Sequence, residues 1–350
     1  MSQLSSFISR RWKLLLNIIT VVALIVLVYA IRAQLTQTFH NLFRVHAWAL
    51  ILLLPIEWAN YYSQAKLYQG LFAVVGNKVD YRQMFKLSLE LNFINSVFPS
   101  VGASGIGYFG VRMRNDEITV GKASLVQIMK LMLVLISFEI LMMLGLVMLA
   151  IGGRVNNFTI LVAGSLTTLL VILTLLVMFL VGSKKRVDVT ISTGNRVVSR
   201  LMKTLHIRHF HLDTGRLRHW GDELHNNYVI IKDKYRDLLK PTAFALLANA
   251  TEVLAVYVVY IAFGHWVNPG AIILAYAVAN FAGLVSVLPG GVGVYEAIML
   301  GILAASGIRA SLSIPVIIMY RVLNTLIQLP PGYYLYHQTL HTTKTEASAE

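Results

Sequence analysis

The 350-residue chain contains no cysteine, so disulfide bonds and thiolate chemistry are excluded. It is also poor in charge. Asp, Glu, Lys and Arg make up 13% of the residues, about half of the ~25% usual in soluble domains, while hydrophobic residues make up 57%. Together with a mean hydropathy of +0.67, this excludes a water-soluble globule and makes the chain a polytopic membrane protein. The apolar runs are long and continuous, whereas barrel strands would be short and alternating, so the spans are helices. Acids are scarcer than bases, 16 against 30, for a formal charge of +14. Nucleic acid is not the expected partner, because the cations crowd into the loops between apolar runs, as for charge facing the cytoplasm and anionic lipid. No Gly-rich phosphate loop ending in Lys-Ser/Thr is present, so no ATP-binding machinery and no cofactor are expected. Histidines cluster at His206, His209, His211, His219 and His225 without cysteine or an organised carboxylate set, and no metal site is expected there.

The apolar run 14–31 follows Arg10 and Arg11, and no Ala-x-Ala cleavage site comes after it. It is as long as a bilayer-spanning helix and reads as the first span, entering from a cytoplasmic N-terminus. The next apolar run, 47–62, is followed by Lys66, Lys78, Arg82 and Lys86, a cytoplasmic connection. The runs 123–151 and 158–181 are clear spans joined by Gly152, Gly153 and Arg154. Residues 184–240 then hold 13 Lys or Arg against 6 acids, the strongest cytoplasmic signal in the chain. Within them, Val197, Val198, Leu201, Met202 and Leu205 share a helical face flanked by Arg196, Arg200 and Lys203, a pattern suited to the anionic inner leaflet. Spans at 241–263 and 312–336 complete the set.

Two stretches cannot be continuous helices. Leu288-Pro289-Gly290-Gly291-Val292-Gly293-Val294-Tyr295-Glu296 combines a proline, three glycines and a carboxylate. Proline removes a backbone donor and each interior glycine costs about 1 kcal/mol relative to alanine, so a helix arriving from Ile272 breaks near Pro289 and restarts near Val294. The same grammar appears earlier, where 84–98 ends in Pro99-Ser100-Val101-Gly102-Ala103-Ser104-Gly105. In hydrocarbon such breaks are tolerated only where they are buried in protein or line a cavity. Cationic clusters on both sides of 84–110 predict that the first broken segment enters and leaves on the cytoplasmic face. Gly264–Gly270 lacks Lys and Arg, so the second broken segment is expected to re-enter from the outside.

The expected architecture is therefore all-α: six full spans plus two broken re-entrant hairpins, in a single membrane domain. Residues 1–181 form one half, 182–240 a basic linker and 241–350 the other half. Aligning Pro99 with Pro289 places Lys130 beside the register of Arg321, each about nine residues into the span after its break. With the inferred orientations this is an inverted-topology repeat, an arrangement that secondary transporters use for alternating access.

Seven ionisable residues fall inside predicted spans or hairpins: Glu57, Glu90, Lys130, Glu139, Glu252, Glu296 and Arg321. Each would cost roughly 2.5–3.5 kcal/mol at a lipid-facing helix centre, so they imply a polar interior. Lys130 and Arg321 should lie roughly 10–12 Å from opposite faces at 1.5 Å per residue. They read either as structural pairs and snorkelling cations or as two stations for a phosphate head group, helped by backbone N–H groups at the restarting helices. Glu296 would orient Arg321, bind an amine, or act as a helix N-terminal carboxylate.

The 288–296 motif, followed by Tyr320-Arg321 in the last span, resembles the C-terminal signature of the lysylphosphatidylglycerol synthase transmembrane region, a flippase-like domain family. The 92–110 block beginning at Asn92 and the Lys130 helix resemble its first half. The resemblance implies a lipid flippase-like membrane fold with two oppositely facing re-entrant elements. It implies a path formed by both breaks, with Lys130, Glu296 and Arg321 at its centre, flanked by Asn92, Pro99, Ser100, Gly102, Pro289, Gly290, Gly291 and Gly293. Members that make aminoacylated lipid carry a further soluble domain. This sequence ends about 14 residues after its last span, so aminoacyl transfer is not expected. The first break often carries an acid in the family, and Ala103-Ser104-Gly105 supplies none.

The expected function is movement of a phosphate-bearing lipid or polyisoprenyl-phosphate amphiphile between leaflets of the cytoplasmic membrane, with both termini cytoplasmic and no catalytic residues. The alternatives are an enzyme on lipid-linked substrates, which would want carboxylates in a metal or base arrangement near one face, and a lipid-binding partner of a separately encoded synthase.

Overall fold

The computed structural model describes residues 45–98, 103–113, 118–153, 157–204, 235–285 and 291–346, with positions 29, 32–33, 36–38 and 41–42. Among these residues the secondary structure is all helical. A short helix α1 (Ala47–Ile51) turns into α2 (Leu53–Val74), followed by α3 (Tyr81–Val97), α4 (Ala103–Met113), α5 (Val120–Ile151), α6 (Asn157–Val181) and α7 (Lys184–Thr204). A 3-10 turn, Tyr235–Leu238, leads into α8 (Leu239–Ala262), then α9 (Pro269–Val285), α10 (Val294–Ala305) and α11 (Ala310–Glu346). Four of these helices are long and apolar enough to cross a membrane, over Gly121–Ile151, Ile160–Leu180, Arg236–Ala262 and Ala310–Thr339. The all-α polytopic membrane class expected from the sequence is the class observed. The expected first span, 14–31, lies almost entirely outside the described residues, and so do 205–234 of the basic linker.

Helix boundaries follow local chemistry. Asp80 caps α3 by accepting from the Arg82 and Gln83 N–H groups at 2.8 and 3.3 Å, and Thr119 caps α5 through Lys122 N–H. Pro269 opens α9 at the position where its missing N–H costs nothing, and the Asn268 side chain accepts from Gly270 N–H at 2.8 Å. The helix expected to end near 62 instead runs to Val74. Gln64 donates to Asn60 and Lys66 to Gln69, one turn apart, so polar residues assigned to a connection extend the helix.

α3 ends at Val97, with Phe98 extended, and α10 starts at Val294. α3 gives way to an α4 of 11 residues, and α9 to an α10 of 12 residues. At 1.5 Å per residue these second arms are about 17–18 Å long, well short of a ~30 Å hydrocarbon core. α11, by contrast, runs for 37 residues with Pro315, Pro330 and Pro331 inside it. The consecutive prolines deprive the Leu326 and Ile327 carbonyls of their helical donors.

α2 and α8 pack against each other at the centre of the molecule. Around them the packing is reciprocal: α3 of the first broken segment lies against α11, while α9 of the second lies against α5. One apolar cluster gathers around α9 and α10, a second around α3 and α4, and α2, α5 and α8 contribute to both. Each crossed contact is closed by glycine. A Cβ on Gly270 would overlap the Gly145 carbonyl oxygen, and a Cβ on Gly332 would sit 2.7 Å from the Leu89 carbonyl oxygen and 2.7 Å from Phe93 Cβ. In a membrane, where helix association relies on close packing, such contacts replace the hydrophobic effect.

Gly332→Ala should therefore cost about 1–3 kcal/mol by overpacking against backbone. The lowered unfolding midpoint in detergent should contrast with Gly164→Ala on α6, where nothing lies within 4 Å and no loss is expected. Equal midpoints for both variants would refute the tight α3–α11 contact.

Candidate functional site

The second break restarts at Gly291, whose φ of +64° suits glycine and where a Cβ would approach Gly283 Cα of α9 to 3.2 Å. Two residues on, Gly293 (φ +89°) is the N-cap of α10. With no cap side chain there, Glu296 reaches back. Its Oε2 accepts from Gly293 N–H at 2.6 Å, satisfying one of the orphan donors at a helix start. Its Oε1 lies 3.2 Å from Arg321 Nη1 on α11. The two side chains are 17% and 16% exposed, so the pair is largely withdrawn from solvent without being sealed. The Arg321 guanidinium also lies over the Tyr295 ring, 4.8 Å from its centroid. One carboxylate thus does two jobs, capping α10 and tying it to α11.

Beside this pair, Gly293, Glu296, Ala297, Leu300, Ile314, Ile317 and Ile318 line a cavity of about 200 Å³ between α10 and α11. It is smaller than the ~300–1,000 Å³ of ordinary ligand pockets, and its walls are aliphatic apart from the Gly293–Glu296 end. Chemically this is an aliphatic groove with the Glu296 carboxylate, the partner of Arg321, at one end.

Lys130 stands elsewhere. Its Nζ donates to the Tyr68 hydroxyl at 2.9 Å and lies 4.4 Å from that ring's centroid. Tyr68 begins an aromatic stack through Phe109 of α4 to Phe72, with centroids 5.3 and 5.9 Å apart, so the first broken segment is held beneath the lysine by ring packing. Lys130 and Arg321 share no partner among the described residues.

The first segment has its own polar anchor. Glu90 accepts from Tyr108 (2.7 Å) on α4 and Thr339 (2.9 Å) on α11, and Arg112 Nε lies 3.8 Å away. At the centre, Asn92 donates to the Tyr61 hydroxyl (2.8 Å) and to Gln328 (2.7 Å). Gln328 donates to Glu57 (2.9 Å) and Asn324 (2.7 Å), and the Tyr320 hydroxyl donates to Glu252 (2.6 Å).

Of the residues expected to form the site, Glu296, Arg321, Gly291 and Gly293 come together around the second restart. Lys130 forms a separate centre, and Asn92 belongs to the central network. Pro99, Ser100, Gly102, Pro289 and Gly290 lie outside the described residues. Sequence reasoning missed Tyr68, Tyr295, Arg112, Asn324 and Gln328. A readable signal existed for the last two, since Tyr320, Asn324 and Gln328 recur every fourth residue along a largely apolar span. Glu57 and Glu252, which look scattered along the chain, are joined by that stripe.

Comparison with known proteins adds two findings. Residues 14–332 match the family model described as lysylphosphatidylglycerol synthase TM region. An 80-residue stretch is 32% identical to a UPF0104 membrane protein of Methanothermobacter thermautotrophicus, covering 23% of this chain and 24% of that protein.

Glu296→Gln keeps an acceptor for Gly293 N–H but removes the charge facing Arg321, and should cost about 1.5–3 kcal/mol of stability. Combined with Arg321→Gln in a double-mutant cycle, the joint cost should fall below the sum of the single costs. Strict additivity would mean that the two side chains are not energetically coupled.

Proposed function

The chain belongs to the lysylphosphatidylglycerol synthase transmembrane-region family, and from that premise we propose that it moves a phosphate-bearing amphiphile between the leaflets of the cytoplasmic membrane. The observation that carries this reading is the Glu296–Arg321 pair at the end of an aliphatic groove between α10 and α11. A phosphate presents charged oxygens that match the guanidinium fork, while part of the attached chain occupies the groove. Lys130 serves as the second cationic station. Binding at Arg321 trades one carboxylate partner for another anion, so the cation remains paired throughout.

The reciprocal packing supports an inverted repeat. Exchanging the halves turns the α3–α11 contact into α9–α5 and maps the α2–α8 contact onto itself. The short second arms, α4 and α10, support re-entrant hairpins that open toward opposite faces. In this reading both termini are cytoplasmic, 1–181 and 241–350 are the two halves, and α7, with Lys184, Lys185, Arg186 and Arg196, rests on anionic inner-leaflet lipid. A separately encoded lipid synthase is a compatible partner.

An enzyme acting on lipid-linked substrates is the rival reading within the same family premise. It predicts a chemically altered lipid and dependence on a divalent metal. The deciding experiment is leaflet exchange of fluorescent phospholipids and polyisoprenyl-phosphate lipids in proteoliposomes, scoring accessibility and chemical identity together. Wild type should accelerate exchange of an unmodified lipid, and Arg321→Ala should abolish that acceleration while still inserting. Full exchange activity in Arg321→Ala removes this residue from the mechanism, and a modified lipid decides for the enzyme.

A further inference from the structure

The central network contains two acids that the head-group stations do not use. Glu57 on α2 is 3% exposed, and Glu252 lies opposite it on α8. They are joined through two amide side chains in series: Gln328 donates to Glu57 at 2.9 Å and to the Asn324 carbonyl at 2.7 Å, and Asn324 Nδ2 is 3.5 Å from Glu252. Gln328 thus donates to both sides, and from Asn92 to Glu252 the donors run in one direction. Asn92 donates into Gln328, Gln328 into Asn324, and Asn324 and Tyr320 into Glu252.

The other titratable groups near the two acids are phenols. Tyr61 belongs to α2, Tyr320 to α11, and Tyr276 of α9 and Tyr295 of α10 lie in electrostatic range of Glu252. α3 contributes the neutral Asn92. From α5, Ser137 accepts from Asn249 of α8, while the charged groups of α5 are Lys122, bound to Asn77, Lys130, bound to Tyr68, and Glu139. The Arg321 guanidinium is paired with Glu296 and stacked on Tyr295. Among the described residues, neither Glu57 nor Glu252 forms a salt bridge with Lys or Arg.

Two carboxylates in one hydrogen-bonded chain inside a membrane domain, with no cation between them, cannot both hold full charge at tolerable cost. The donors decide where the missing charge goes. Glu252 accepts from two groups, one through a 2.6 Å O–H···O contact of the length typical when the acceptor is ionised. Glu57 accepts from one amide.

We propose that Glu57 and Glu252 form a proton site at the junction of α2, α8, α3 and α11, with the proton carried by Glu57 and the charge by Glu252. Through Gln328 and Asn92 the site is bonded to the first broken segment, and through Tyr320 it adjoins Arg321 in sequence. Loss of the proton to water would leave two anions across the Gln328–Asn324 link, and the arrangement that holds α3 on α11 would then be disfavoured. On the translocation reading given above, this couples lipid movement to protons.

The test uses the full chain in phosphatidylcholine–phosphatidylglycerol vesicles. Infrared spectra at neutral pH should contain the carbonyl stretch of a protonated carboxyl, shifting in D2O. Glu57→Gln should remove it, Glu139→Gln should leave it, and Tyr320→Phe, a mild change that deletes one donor to Glu252, should displace it. A band untouched by Glu57→Gln overturns the proposal, as does one untouched by Tyr320→Phe should the first variant fail to fold. In the same vesicles an imposed proton gradient should change the initial rate of lipid exchange several-fold in wild type and leave Glu57→Gln unaffected. Equal gradient responses in the two proteins would remove the coupling. Absence of all lipid exchange would refute translocation alone, because the infrared band judges the proton site independently.

Discussion

A polar group inside hydrocarbon must find a partner within the protein, and this single requirement accounts for much of how the chain is assembled. Several of its intramembrane acids and amides pair across segments. Glu90 of α3 reaches Thr339 of α11, Asn92 of α3 reaches Gln328 of α11, and Asn60 of α2 donates to Thr251 and the Ala248 carbonyl of α8. Each bond joins residues far apart in sequence, so satisfying the polar groups also closes the tertiary structure. The glycine contact at Gly332 lets α3 and α11 approach closely where the Glu90 and Asn92 bonds form.

The same requirement explains why helix breaks can be afforded at all. A restarting helix exposes N–H groups, and at α10 one of them is met by Glu296, whose other oxygen faces Arg321. Capping and ion pairing therefore share one side chain: an anion that draws Arg321 away from Glu296 removes the tie between the α10 start and α11. Ligand capture at this place would act directly on the geometry of the broken segment. A cation paired to a residue in the middle of a regular helix would have no such leverage.

How much of this was legible in the sequence depends on the range of the interaction. The helical class, the interruptions near Pro99 and Pro289 and the proximity of Glu296 to Arg321 follow from composition, backbone chemistry and a recurring order of segments. The extension of α2 to Val74 was hidden, because Gln64, Lys66 and Gln69 look like loop residues until their bonds one turn apart are counted. The link between Glu57 and Glu252 was hidden for a different reason: it runs through neutral amides on a third helix, and no spacing along the chain encodes which helix lies opposite. The every-fourth-residue stripe on α11 marked one side of that contact and left the other unspecified.

The two cationic centres are compensated differently, and that difference has a direction. Arg321 faces a carboxylate 3.2 Å away, whereas Lys130 is met by the hydroxyl and ring of Tyr68. A ring face and a neutral hydroxyl cancel less charge than a carboxylate does. The start of α4, Ala103-Ser104-Gly105, supplies no acid, whereas the third residue of α10 is Glu296. For an amphiphile that visits both centres, the phosphate would displace no anion at Lys130 but would have to compete with one at Arg321. On the translocation reading the two centres would then hold the same head group with unequal strength, the weaker hold lying at Arg321.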